Sequence, residues 1–270
     1  MSYNLLKGKK GIIFGALDEK SLAWKTAMRC FDEGAELVLT NAPVALRMGE
    51  INKLAEATKA PVIGADVTNM DDLKKLFEES MTHFGGKIDF VLHSIGMSIN
   101  VRKGKPYTEI DYGFNQKSLD ISAMSLHRVL RTAWDLDAIN EWGSVVALTY
   151  IAAQRVFPDY NEMADAKALL ESITRSFGYH YGRKRKVRVN TVSQSPTRTT
   201  AGGGVKGFDG FINYAEKMSP LGNADADQCA GYITTLFSDL TRMVTMQNLF
   251  HDGGFSYTGV TEQVIEQMEK

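Results

Sequence analysis

Apolar positions alternate between two periods along the chain. Gly11–Gly15 is a short apolar run that ends in glycine and reads as a buried strand. Over Ser21–Glu33 the residues Leu22, Ala23, Thr26, Ala27 and Cys30 recur on one helical face, and Gly34 stands where a helix-ending glycine belongs. The pattern then predicts strand Ala35–Thr40, helix Val44–Thr58, strand Pro61–Gly64, helix Asp71–Phe84 and strand Ile88–His93. A long helical pattern covers 111–133, followed by strand Ser144–Leu148, helix Tyr160–Tyr181, strand Val187–Ser193, helix Ala224–Ser238 and a last strand within Val244–Asp252. Such alternation predicts βαβ units and an α/β fold. Near-continuous apolar strands such as Asp89–His93 predict a parallel sheet covered on both faces. Ser195–Phe211 interrupts the pattern with Pro196, Gly202, Gly203, Gly204, Gly207 and Gly210, and reads as a loop or lid.

Composition narrows the function classes. The chain is 44% hydrophobic and 23% charged, ordinary for a globular protein. Its 31 Lys+Arg against 32 Asp+Glu leave a net charge of −1, so no bulk attraction to nucleic acid or to an anionic membrane is expected. Cys30 and Cys229 are too few and too far apart for a disulfide framework or a metal site, and read as reduced, partly buried thiols. No apolar run approaches the ~18 residues of a membrane span. The run Gly11–Leu17 lacks a secretory cleavage site, so a cytoplasmic protein is expected.

Four places carry candidate chemistry. Gly15 closes the first strand and Ser21 opens the next helix; the turn fits a pyrophosphate on a helix N-terminus, or a plain capped turn, and G-x-G-x-x-G is absent. Asp66, just past a strand, fits either an adenine amino group or a helix cap. Gly96 in His93-Ser94-Ile95-Gly96 permits close approach of a flat cofactor, or is a turn glycine. Tyr160 and Lys167 are seven apart on one predicted helix, roughly two turns, so both project from one face, with Tyr150 near that helix's start. A lysine near a phenol stabilises phenolate, and a tyrosine so placed can donate to a developing oxyanion. The plain alternative is an aromatic stripe beside a solvated lysine.

Taken together these stretches resemble the short-chain dehydrogenase/reductase superfamily, and within it the bacterial NADH-dependent enoyl-acyl-carrier-protein reductases of type II fatty-acid synthesis. The resemblance is carried, in order, by Gly8–Gly15, Ser21-Leu22-Ala23, Asp66-Val67, His93–Gly96, Tyr150–Met163, Ala166-Lys167-Ala168, Val187–Asn190, Ser195–Thr199 and His251–Phe255. Most superfamily members have Tyr-x₃-Lys. Here Tyr160 and Lys167 are spaced Tyr-x₆-Lys, with Tyr150 ten residues upstream, and the phosphate turn is Gly-x₅-Ser; both mark the enoyl reductases.

The resemblance implies a Rossmann-like doubly wound parallel sheet of about seven strands, a single domain over 1–270 with a substrate loop at about 195–211. It implies reduction of a trans-2-enoyl thioester on acyl carrier protein by hydride from a nicotinamide cofactor. Tyr150, Tyr160 and Lys167 would be catalytic: Tyr160 meets the enolate, Lys167 holds the nicotinamide ribose, and Tyr150 lies beside the acyl chain with Ser98. Cofactor contacts fall on Gly15, Ser21, Leu22, Asp66, Val67, Ile95, Gly96, Lys167, Thr197, Arg198, Thr199, Thr200 and Ala201. A homotetramer is implied, with Leu126, Leu130, Ile173 and Phe177 as candidate subunit contacts. The sequence departs from the family at Gln194-Ser195-Pro196, where alanine-glycine-proline is usual, at Thr197 for isoleucine, and at Thr149 for serine. A carbonyl reductase of the same fold would show Tyr-x₃-Lys, and a non-catalytic NAD-binding regulator would have lost Tyr160 or Lys167. The second strand's tip, Leu39–Pro43, has no Lys or Arg for a 2′-phosphate, so NADH is expected, with NADPH as the alternative through Arg47.

Overall fold

The computed structural model describes residues 2–47, 50–200 and 207–269. Its strands are β1 (Lys10–Phe14), β2 (Glu36–Thr40), β3 (Ile88–His93), β4 (Ile139–Thr149), β5 (Arg188–Gln194) and β6 (Asn248–His251). They form one sheet in the order β2-β1-β3-β4-β5-β6, every pair parallel. The expected third strand, Pro61–Gly64, contributes a single parallel bridge, Val62 to Leu39, at the outer edge beside β2. Pro61 has no N–H to give to a ladder, and only its carbonyl and the Ile63 N–H pair with Leu39, each at 3.0 Å. The sheet therefore has six strands with a bridge in the seventh place.

The helices are α1 (Leu22–Asp32), α2 (Pro43–Leu46), α3 (Ile51–Thr58), α4 (Met70–Phe84), α5 (Ile99–Arg102), α6 (Tyr112–Leu119), α7 (Ser125–Asp135), α8 (Glu162–Arg185), α9 (Phe208–Met218), α10 (Ala226–Phe237) and α11 (Glu262–Met268). They cover the sheet on both sides. One face buries Leu73, Leu76 and Phe77 of α4, Leu126 and Leu130 of α7, and Leu170 and Tyr181 of α8. The other buries Ala27 and Cys30 of α1, Leu54 of α3, and Ile233 and Phe237 of α10. Each such leucine contributes about 1.5–3 kcal/mol by leaving water. Burial pushes the Cys30 and Cys229 thiols up to about 12, and both are free.

Several boundaries differ from the periodicity. The expected helix Val44–Thr58 is two helices, α2 and α3. The 111–133 pattern is α6 and α7 joined through a π-helical turn, Asp120–Met124. Inside that turn Ser122 Oγ accepts from the Met97 N–H at 2.9 Å and donates to the Met97 carbonyl at 3.0 Å, which fixes the segment after β3. The expected helix Tyr160–Tyr181 begins two residues later. Pro158–Tyr160 is a 3₁₀ turn, and Asn161 breaks the chain direction with φ 45° and ψ −136° before α8 starts at Glu162. Phe208–Phe211, expected in the loop, is the first turn of α9, entered through Gly207 at φ 71°. Gly202, Gly203 and Gly204 lie outside the described residues. Leu126, Leu130 and Ile173, expected as candidate subunit contacts, are buried in the chain's own core, while Phe177 is partly exposed and packs against it. Among the described residues no helix is long and apolar enough to cross a membrane.

Candidate active site

The carboxyl ends of β1, β3, β4 and β5 open into one cavity of about 750 Å³. From β1 the chain crosses one way to β2 and the other way to β3, so the cavity lies at the sheet's switch point, where ligands bind in such folds.

The β1–α1 turn forms one wall. Gly15 holds φ 92°, and a Cβ there would stand 2.0 Å from the Ser94 carbonyl oxygen, so no side chain fits. Ser21 caps α1: its Oγ accepts from the Trp24 N–H at 3.3 Å and donates to the Asp18 carbonyl at 2.8 Å. Ser21 and Leu22 line the cavity, leaving the helix N-terminus facing it. Asp66 and Val67 line the same space. The Asp66 carboxylate accepts from the Thr68 N–H and hydroxyl through Oδ1, while Asn69, not Asp66, caps α4. Asn41 turns back on the chain, giving a proton to the Ala16 carbonyl and accepting from the Ala42 N–H, both at 2.9 Å. Arg47 is exposed and outside the cavity lining.

The segment after β5 crosses over this wall. Thr197, Thr199 and Thr200 line the cavity, and the Thr200 hydroxyl bonds the Asp18 carboxylate of the β1–α1 turn. Arg198 pairs instead with Asp209 of α9 at the surface and does not line the cavity. Ala201 lies outside the described residues. The departures from the family pattern are absorbed locally. Gln194 bonds His251 Nδ1 at 2.7 Å, Ser195 Oγ accepts from the Ala224 N–H at 3.3 Å, and the Thr149 hydroxyl donates to Glu171 at 2.9 Å.

Tyr150, Tyr160 and Lys167 line the cavity together with Ile95, Gly96 and Ser98. The rings of Tyr150 and Tyr160 lie 5.1 Å apart at 55°. Their convergence is tertiary: Tyr160 stands on the 3₁₀ turn and Lys167 in α8, so the shared helical face expected from the spacing does not exist. Lys167 is 7% exposed and donates to the Leu148 carbonyl at 2.8 Å. Burial lowers its pKa to about 8, opposed by the Glu171 carboxylate one turn on. A Cβ on Gly96 would stand 3.8 Å from Lys167 Nζ, so the bare glycine leaves the ammonium's side of the cavity open. Burial raises both phenols above their ordinary range, joined at Tyr150 by the charges of Tyr160 and Asp252. They are therefore hydrogen-bond donors near neutral pH, and the expected lowering of the phenol by the lysine does not occur. His93, fully buried, is held neutral at about 3 by burial and by the Lys167 charge.

Two buried acids escaped the sequence reading. Glu171 accepts from Thr149 and, at 3.1 Å, from Asn248. Glu162, with no exposed surface, accepts from Ser98 Oγ at 2.5 Å and Ser118 Oγ at 3.2 Å, while its Oε2 is buried without a partner among the described residues. Their only signal was an acid on the apolar side of a helix, which periodicity treats as an exception. Phe157, Phe208 and Phe211 supply an apolar end to the cavity.

Comparison with known proteins gives a consistent answer. A family described as "Enoyl-(Acyl carrier protein) reductase" matches residues 15–256. The enoyl-[acyl-carrier-protein] reductase [NADH] FabI of Rickettsia bellii is 34% identical over 262 residues, 96% of this chain and 98% of that one. A crystal structure of a FabI–NADH complex from Alistipes finegoldii superposes with a TM-score of 0.96 at 62% identity, covering 97% of this chain and 93% of that one. The Bacillus cereus enoyl-acyl carrier protein reductase, solved with NADP+ and an indole naphthyridinone, superposes with a TM-score of 0.89 at 30% identity over 96% of this chain and 100% of that one.

Proposed function

The chain belongs to the enoyl-(acyl carrier protein) reductase family, and from that premise we propose how its residues divide the work of reducing an enoyl thioester. The reaction is NADH-dependent reduction of the trans-2 double bond of an enoyl-acyl-carrier-protein, which completes a round of fatty-acid elongation. The observation that carries the division is the convergence of Tyr150, Tyr160 and Lys167 on the cavity that also exposes the Gly15–Ser21 turn.

The cavity's residues fit a dinucleotide. The α1 N-terminus beside Ser21 holds the pyrophosphate, and Asp66, with Oδ1 engaged by Thr68, presents its other oxygen to the adenine amino group. Lys167 holds the nicotinamide ribose hydroxyls, Thr197, Thr199 and Thr200 close over the cofactor, and bare Gly96 admits the flat ring beside Lys167. Ala201, outside the described residues, is the remaining proposed contact of that segment. The uncharged tip at Asn41 suits an unphosphorylated ribose.

Bound NADH supplies the hydride. As a C–H bond forms at C3 of the substrate, the double-bond electrons move toward C2 and the thioester oxygen. Tyr160, a protonated phenol, donates a hydrogen bond to that oxygen and stabilises the enolate; C2 then takes a proton from solvent water to give the saturated thioester. The ammonium of Lys167 adds positive charge to the same region. Tyr150, its ring 5.2 Å from that of Phe157 and tilted by 50°, borders the acyl chain with Ser98. In this reading acyl carrier protein delivers the substrate, and the enzyme works as a cytoplasmic homotetramer.

Replacing Tyr160 by Phe tests the division. Turnover of an enoyl thioester should fall on the order of 10²-fold, the loss usual for one oxyanion donor, with NADH affinity retained. Unchanged single-turnover rates would remove Tyr160 from its role.

A further inference from the structure

Gln194 is the last residue of β5, and its partner in the sheet register is His251, the last residue of β6. It is 4% exposed and lines the cavity, and both ends of its amide are engaged. Oε1 accepts from His251 Nδ1 at 2.7 Å. Nε2 donates to the Ala224 carbonyl at 3.2 Å and reaches the Asp225 carbonyl and the Thr197 hydroxyl oxygen, each at 3.4 Å. The two carbonyls belong to the turn that enters α10, where Asp225 is the N-cap and closes a capping box with Gln228. Carbonyls only accept, so the amide nitrogen must face them and the amide oxygen is left for His251, whose Nδ1 then carries the proton. The His251 ring is stacked on Tyr232 of α10, centres 5.1 Å apart at 19°, which fixes its orientation. Burial holds His251 below its ordinary range, so the neutral ring has one proton and gives it to Gln194.

What this arrangement holds in place is the start of the segment after β5. The Thr197 hydroxyl donates to the Ser195 carbonyl at 3.0 Å while accepting from Gln194. Ser195 Oγ accepts from the Ala224 N–H at 3.3 Å, and Asn223 Nδ2 donates to the Pro196 carbonyl at 2.8 Å. Residues 194–197 are thus bonded to the α10 entry at each step before the chain reaches Thr199 and Thr200. Alanine, usual at position 194 in the family, can make none of the side-chain bonds of Gln194. We propose that Gln194, oriented by His251, is a positioning residue that holds Thr197 where it contacts bound NADH. This rests on the reading of Thr197 as a cofactor contact and adds what fixes it there. Gln194 acts through the placement of Thr197 and takes no part in hydride or proton transfer.

Calorimetric titration with NADH, alongside steady-state kinetics, tests the proposal on Gln194→Ala and on His251→Phe, which keeps a ring against Tyr232 but has no donor. Each should bind NADH about three- to tenfold more weakly, the loss usual for one or two hydrogen bonds. KM for NADH should rise more than kcat falls, and KM for a small enoyl thioester should stay within about twofold. The double variant should be no weaker than Gln194→Ala alone, because His251 works through Gln194. His251→Asn, with an amide N–H close to the place of Nδ1, should recover most of the affinity. Wild-type NADH affinity in both single variants overturns the proposal, as do additive losses in the double variant or an equal rise in both KM values. Hydrogen exchange of the wild type checks the underlying reading separately. Bound NADH should slow exchange across 195–200, and no slowing there would remove Thr197 from the cofactor site.

Discussion

Lys167 shows how one residue's surroundings decide its chemistry. An exposed lysine keeps its proton far above neutral pH, but here burial costs the charged form its hydration and brings the pKa to about 8. Glu171 limits that fall from one turn away, and Thr149 and Asn248 hold Glu171 in place. The ammonium is thus present at pH 7 and is lost as pH rises through about 8. If it is the charged form that holds the ribose hydroxyls, NADH affinity should fall across that range. Calorimetric titration between about pH 6.5 and 9.5 should show the decline in the wild type. Lys167→Met should bind NADH more weakly at every pH and show no such step. The phenols add no ionisation below this range, because burial raises them.

At the scale of elements, the site depends on the joint between the β4 end and α8. The 3₁₀ turn at Pro158–Tyr160 and the left-handed φ of Asn161 carry Tyr160 off the helix axis. Proline suits the first position of such a turn, and asparagine tolerates positive φ better than most residues. Glu162 then clamps the start of α8 to Ser98 after β3 and to Ser118 in α6. Removing it leaves the buried Ser98 hydroxyl without its acceptor and Ser118 with only the Phe114 carbonyl. Glu162→Ala should cost about 2 kcal/mol of stability and lower kcat, because Tyr160 is attached two residues upstream. Glu162→Gln keeps an acceptor oxygen and should restore most of the turnover. Denaturant unfolding alongside steady-state kinetics checks both effects. A normal kcat in the alanine variant would make the clamp a matter of stability alone.

For the whole molecule, the sheet places every proposed catalytic side chain at one end, and two cores, one on each face, hold that end rigid. Of the apolar residues first expected between subunits, Leu126, Leu130 and Ile173 are inside one of those cores. In the proposed tetramer, outward positions of α8 such as Tyr179, 55% exposed, are available for contact. Light scattering at micromolar concentration should give about four times the 29.9 kDa of one chain. A mass equal to one chain would rule the tetramer out, and Tyr179→Glu should shift the wild-type assembly toward smaller species if α8 lies at the contact.

Local periodicity was enough to reveal the strand–helix alternation, because β1 and β3 are buried on both faces and carry the apolar runs Gly11–Phe14 and Phe90–Leu92. The Gly15–Ser21 turn and the Tyr150, Tyr160 and Lys167 set stood out only through the family resemblance, since spacing alone left a capped turn and an aromatic stripe as alternatives. Where the pairing partner lay far away, the pattern misled. Pro61–Gly64 has the composition of a strand, yet an edge position and a missing N–H leave it one bridge. The spacing of Tyr160 and Lys167 suggested one helical face, yet the positive φ at Asn161 separates them and only the folded cavity reunites them. Glu162 gained its meaning from Ser98, 64 residues earlier, and from Ser118, 44 residues earlier. Hydrogen bonds across such separations leave no trace in spacing, because they are selected by the packing of α6, α8 and the end of β3 against one another rather than by any neighbour along the chain.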